Sequence, residues 1–162
     1  MTEAAEAVAA LRAAGATVAT AESLTGGLVC ATLVDVPGAS DVVRGGIVAY
    51  AAEIKTTMLG VDADLIEERG TVDADVAAAM ARGACARIGA TYGLATTGVA
   101  GPDSSEGKPP GTVHIAVAGP HGVVTRLLEL AGDRATIRSG TVAALLSLLV
   151  ATLGEESRIV RG

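Results

Sequence analysis

Residues 16–27 read ATVATAESLTGG. Small and β-branched residues alternate through 16–22, which predicts a strand. Ser23 follows at the strand end, and Gly26-Gly27 lets a helix start tightly over 25–34. A strand running through a glycine turn into a helix is the opening unit of a βα fold, and the rest of the chain extends it. A helix is expected over 2–14, with Thr2 as cap and Gly15 as stop. Residues 42–50 read as a strand, 52–59 and 62–69 as short helices, and 73–88 as a longer helix capped by Asp73. YGLATT at 92–97 is a third strand, and 98–111 is a loop rich in glycine and proline. Residues 112–118 and 123–130 form a hairpin around Gly119-Pro120-His121-Gly122, and Asp133 opens a closing helix to Leu153. Alternating strands and helices predict a three-layer α/β/α sandwich with a mixed, mostly parallel sheet. The whole chain, 1–162, is expected to be one domain with a frayed tail over 155–162.

Composition narrows the function. The chain is half hydrophobic, carries a net charge of −6, and has two Tyr with no Phe or Trp. So few aromatic rings and so acidic a balance argue against nucleic-acid binding and against an anionic membrane surface. The apolar run 141–154 is too short to span a bilayer. The acidic N-terminus does not read as a signal peptide, so a cytoplasmic protein is expected. Cys30 and Cys85 are too few for a disulfide framework and read as reduced core thiols; no metal-ligand spacing is present. The high apolar fraction leads us to expect a homo-oligomer, with a dimer as the first choice.

In sheets of this kind the ligand crevice lies beyond the carboxyl ends of the strands. That rule nominates Ser23, Tyr50 and Thr97-Gly98. The first turn of the helix after Ser23 offers N–H groups to a phosphate or an oxyanion. The same pattern also suits an ordinary cap with close-packing glycines. No lysine follows the glycines, so it is not a Walker loop. Ten Arg stand against two Lys, Lys55 and Lys108. Arginine keeps its proton, so a lysine here marks a possible general base. Lys55 lies one turn after the Tyr50 strand, where its amine leans back toward the strand ends. A surface lysine beside a core tyrosine fits the spacing equally well. The loop after Gly98, through Gly101-Pro102 to Lys108-Pro109-Pro110, is long for a plain connection, although a surface crossover is the alternative. Lys108 is a candidate anion contact. Arg134 and Arg138 share a face at the start of the last helix; phosphate binding and surface ion pairing both suit them.

AESLTGG, VAYAAEIK, TTGVAGP, KPPGTV and GDRATIR occur in this order. Together they resemble the CinA C-terminal domain family over about residues 4–154. Each motif is weak alone; five in order are specific. The resemblance implies an α/β/α fold and hydrolysis of the carboxamide of nicotinamide mononucleotide to nicotinate mononucleotide and ammonia. It maps a nucleophilic serine onto Ser23, with tyrosine and lysine partners on Tyr50 and Lys55. Thr25, Gly26, Gly27, Thr97, Gly98 and Gly101 are then expected to meet the substrate, with Lys108, Arg134 or Arg138 at its phosphate. No metal or cofactor is implied. Longer family members carry a further N-terminal domain, and this chain looks like the stand-alone form. Two positions depart from the family pattern. Ala52 stands where a polar residue, often Asn, is usual, and the loop reads Asp103-Ser104-Ser105-Glu106-Gly107 without the common glycine pair. They motivate an alternative, a non-catalytic nucleotide-binding or sensing member of the family.

Overall fold

A computed structural model describes residues 1–162. The chain runs α1 (Glu3–Ala14), β1 (Val18–Glu22), α2 (Leu28–Val34), a 3-10 turn (Ala39–Asp41), β2 (Val43–Val48), α3 (Ala52–Leu59), α4 (Ala63–Arg69), α5 (Ala74–Ile88), β3 (Tyr92–Gly98), β4 (Thr112–Gly119), β5 (Gly122–Glu129) and α6 (Arg134–Arg161). The predicted caps sit where the sequence puts them. Thr2 Oγ1 accepts from the Ala5 N–H, and Asp73 accepts from Asp75 and Val76. Each satisfies helix N–H groups that would otherwise lack partners.

The five strands lie in the order β2-β1-β3-β4-β5. β1 pairs in parallel with β2 and β3, whereas β3-β4 and β4-β5 are antiparallel. Only β4 therefore opposes the common strand direction, as expected of a mixed sheet with a late hairpin. One core, between the sheet and α1, α2 and α6, contains Leu11, Leu33, Leu94, Ile115, Leu145 and Leu149. The other, under α3 and α5, is built of smaller residues such as Ala19, Ala21, Ala77, Ala81, Ala95 and Ala116. Small side chains bring α5 close to the sheet. At Gly93 a Cβ would overlap the carbonyl oxygen of Ala81, so that contact requires glycine.

Strand β2 ends at Val48, which leaves Tyr50 just beyond it, and two helix boundaries differ from the sequence reading by three residues or more. Helix α2 begins at Leu28, not 25, because Gly26 and Gly27 adopt left-handed conformations (φ +56° and +102°) and form the turn. Helix α6 continues to Arg161, so residues 155–162 are not a frayed coil. The Tyr92 hydroxyl donates to Glu156 and ties this last part of the helix to β3. By length and composition α6 would be long and apolar enough to cross a membrane. Its Ile137, Val142, Leu145, Leu146, Leu149 and Leu153 are instead packed against the sheet and α1, as a core helix requires.

Candidate active site

Strand periodicity sorts the residues at the carboxyl end of β1. Ala19 and Ala21 face the α5 core, while Val18 faces the α1–α6 core. Successive side chains alternate, so Glu22 points to the α2 side. Its carboxylate accepts from the Val29 N–H at 2.7 Å, the Cys30 N–H at 3.0 Å and the Thr20 hydroxyl at 3.2 Å. The remaining first-turn donors of α2 are also occupied. Leu28 donates to Thr25 O and Ala31 to Gly27 O. The N–H groups of residues 28–31, at the start of α2, are thus all paired, two of them with a buried glutamate, and are not open to a ligand.

Ser23 is nearly buried, and its backbone N–H donates to both the carbonyl oxygen and the hydroxyl of Thr96 on β3. Its Oγ stands 2.9 Å from Lys55 Nζ. Lys55 is 1% exposed, and its amine also meets the carbonyl oxygens of Ala49 at 2.7 Å and Tyr50 at 3.0 Å. In the neutral amine two N–H bonds satisfy those carbonyls, and the lone pair is left for the Ser23 hydroxyl proton. Burial pushes the Lys55 pKa down to about 8, against the opposing negative charge of Glu106. The amine is therefore held within reach of the base form near neutral pH.

Ser23 opens into a cavity of about 380 Å³, within the range of small-ligand pockets. Its walls come from Leu24, Tyr50, Thr71-Val72, the Gly98–Asp103 run, Ser105 and Arg134. The backbone N–H groups of Leu24, Ala100 and Gly101 have no hydrogen-bond partner within the chain. A larger groove of about 570 Å³ between α1, α2 and α6 holds none of Ser23, Tyr50 or Lys55.

The structure brings some predicted residues together and sends others elsewhere. Ser23, Tyr50, Gly98, Gly101 and Arg134 line the cavity, and Lys55 stands directly behind Ser23. Tyr50 is 61% exposed at the rim, and its hydroxyl accepts from Arg134 at 3.2 Å. Tyr50 meets Lys55 through its carbonyl, and its phenol hydroxyl makes no hydrogen bond to Ser23 or Lys55. Arg134 also donates to Gly101 O at 2.6 Å and remains largely exposed at the mouth. Arg138 donates to Leu24 O and Thr25 O, both at 2.9 Å, and so braces the Ser23 turn from outside the cavity. The Thr25 hydroxyl bonds that of Thr96, and the Thr97 hydroxyl donates to Thr71 O. Gly26 and Gly27 shape the turn, and Lys108 pairs with Ser105 within the β3–β4 loop; none of these three lines the cavity. Cys30 and Cys85 are free and half-buried, with burial raising both thiol pKa values.

Sequence reasoning passed over Thr96, Thr71, Val72 and the Ala49 carbonyl. Strand pairing supplies the signal for Thr96, since Glu22 and Thr96 are register partners across β1 and β3. The other contacts come from segments whose approach no spacing in the chain announces.

An α/β/α sandwich with a buried serine–lysine pair at the carboxyl rim of its sheet defines a class of proteins equipped for nucleophilic chemistry. Residues 1–153 match the CinA C-terminal domain, and the chain belongs to that family. It is 58% identical over 134 residues to a CinA-like protein of Frankia casuarinae, covering 83% of this chain and 31% of that protein. A putative competence-damage inducible protein of Desulforamulus reducens is 52% identical over 135 residues, with 83% and 33% covered. The chain thus spans about a third of the length of these curated relatives. Among solved structures, the competence/damage inducible protein from Agrobacterium tumefaciens superposes with a TM-score of 0.89 at 37% identity, covering 94% of this chain and 93% of that one. The competence damage-inducible protein A from Klebsiella pneumoniae gives 0.91 at 32%, covering 94% and 95%.

Proposed function

We propose that the protein is an amidohydrolase that converts nicotinamide mononucleotide to nicotinate mononucleotide and ammonia. The observation that carries the reading is the 2.9 Å approach of a buried lysine amine to Ser23 Oγ. Neutral Lys55 takes the hydroxyl proton as Oγ attacks the carboxamide carbon. The positive pyridinium ring makes that carbon electron-poor. Unpaired N–H groups among Leu24, Ala100 and Gly101 are the oxyanion donors at hand. Collapse of the tetrahedral intermediate breaks the C–N bond, and Lys55 returns its proton to the departing ammonia. Water then attacks the acyl-serine, with Lys55 again as base, and releases the carboxylate. Arg134 at the mouth suits the substrate phosphate, because its guanidinium keeps donors beyond those used on Gly101 and Tyr50.

The test is ammonia release from nicotinamide, its riboside and its mononucleotide. The mononucleotide is expected to react fastest, and Ser23→Ala to abolish the reaction. Release at the parental rate by Ser23→Ala would overturn the serine mechanism. A second reading, a non-catalytic nucleotide sensor, is favoured by two features. Ala52 stands at the first position of α3, and the Tyr50 hydroxyl is engaged with Arg134. It predicts saturable binding of the mononucleotide without ammonia.

A further inference from the structure

The loop between β3 and β4 is fastened by a side chain that the proposed chemistry does not use. The Glu106 carboxylate accepts from the Thr71 N–H at 2.9 and 3.0 Å, from the Thr71 hydroxyl at 2.5 Å and from the Val72 N–H at 3.2 Å. Thr71 and Val72 form one part of the cavity wall; Asp103 and Ser105, from the Glu106 loop, form another. The contact therefore joins two walls of the site that lie far apart in sequence.

Several features are built around this contact. Gly70 lies beneath the carboxylate at φ +78°, and a Cβ there would overlap Glu106 Oε1. Glu106 itself adopts φ +52°, a conformation that non-glycine residues seldom take. The Thr71 carbonyl accepts from Thr97 Oγ1 at 2.6 Å, which ties the same segment to β3. Partial burial pushes the Glu106 pKa up, but the Thr71 and Val72 hydrogen bonds and the charge of Lys108 outweigh it and hold the carboxyl below its ordinary value. Lys108 also acts on His114 of β4, as does Asp73 at the start of α5. On Lys55 the opposing charge is that of Glu106.

We propose that Glu106 is a positioning residue: its carboxylate latches the β3–β4 loop to Thr71-Val72 and so fixes the wall of the cavity that Ser23 lines. Its effect on turnover rests on the amidohydrolase reading; the latch itself does not.

The experiment uses Glu106→Ala and Glu106→Gln, with two readings that need no substrate. Amide hydrogen exchange at Thr71 and Val72 is expected to quicken about tenfold or more in the alanine variant. It should quicken less in the glutamine variant, whose amide oxygen still accepts. Carbon-13 labelling of the two lysines gives two titrating signals, and the Lys55 midpoint is expected to fall in both variants, because the negative charge that opposes the burial shift is lost. Unchanged exchange in the alanine variant overturns the latch, and a Lys55 midpoint that stays put in both variants shows that the Glu106 charge does not act on Lys55. Should the alanine variant not fold, the glutamine variant decides by the same two readings. In the ammonia assay KM for the mononucleotide should rise more than kcat falls. A wild-type protein that releases no ammonia defeats the amidohydrolase reading and leaves exchange and titration to judge the latch.

Discussion

Glu22 and Lys55 are both ionisable, both 1% exposed, and both anchored at the carboxyl rim of the sheet. Each engages three partners, yet to different ends. Glu22 spends its hydrogen bonds on Val29, Cys30 and Thr20, all of them parts of the fold. Lys55 spends two on the carbonyls of Ala49 and Tyr50, and the third contact is a hydroxyl that can react. Burial of a charge is therefore not in itself a sign of function. What separates the two residues is whether a partner can give up a proton at an open cavity.

The largest consequence of that contrast concerns turnover. Lys55→Met is expected to lower kcat for ammonia release about a thousandfold or more, as removal of a general base does. Lys55→Arg should rescue little, since a guanidinium does not deprotonate. Full activity in the arginine variant would show that Lys55 supplies only charge.

A second effect appears in stability against pH. The Lys55 pKa falls from 10.5 to about 8 on folding. Between those values the unfolded chain holds a proton that the folded one has released, so stability rises with pH through this window. The burial penalty is full below pH 8 and is relieved above it, a span of about 3 kcal/mol. Denaturant unfolding from pH 7 to pH 10 should reveal the slope, and Lys55→Met should flatten it.

Glu22→Gln is expected to act on the other side of the comparison. The amide keeps the shape but loses the charge that faces two N–H donors at the start of α2, at a cost of about 2 kcal/mol. Denaturant midpoints should register this, while kcat of the folded fraction stays close to the parental value. A large kcat loss at unchanged stability would place Glu22 in the chemistry. The smallest effect belongs to Tyr50→Phe. Its hydroxyl bonds Arg134, not Ser23 or Lys55, so we expect a rise in KM of a few-fold and little change in kcat. A kcat loss as large as that of Lys55→Met would put the phenol in the proton path.

The fold was legible because its signals are local. Thr2 and Asp73 cap helices, and Gly119 to Gly122 turns a hairpin, each within a few residues. Ser23 and Lys55 were legible for a related reason. Ser23 directly follows β1 and Lys55 lies in the first turn of the helix after β2, and parallel strands bring such positions to one rim. The partners of Arg138, Thr25 and Thr97 were not legible, because they lie on other elements. Arg138 reaches back to carbonyls 113 and 114 positions away, a contact that helical spacing cannot disclose. The Glu22 cap was hidden by the same nonlocality. The glycine pair before α2 looks like an open anion site until the preceding strand is seen to point a carboxylate into it.

The most direct test of the account is the titration of Lys55 in the intact protein, followed at the side-chain carbon next to Nζ. With only Lys108 as a second lysine, Ser23→Ala separates the two signals by perturbing the neighbour of one. A midpoint near 8 is expected for Lys55. A midpoint at the ordinary lysine value, about 10.4, would leave Ser23 without a base at neutral pH and contradict the account.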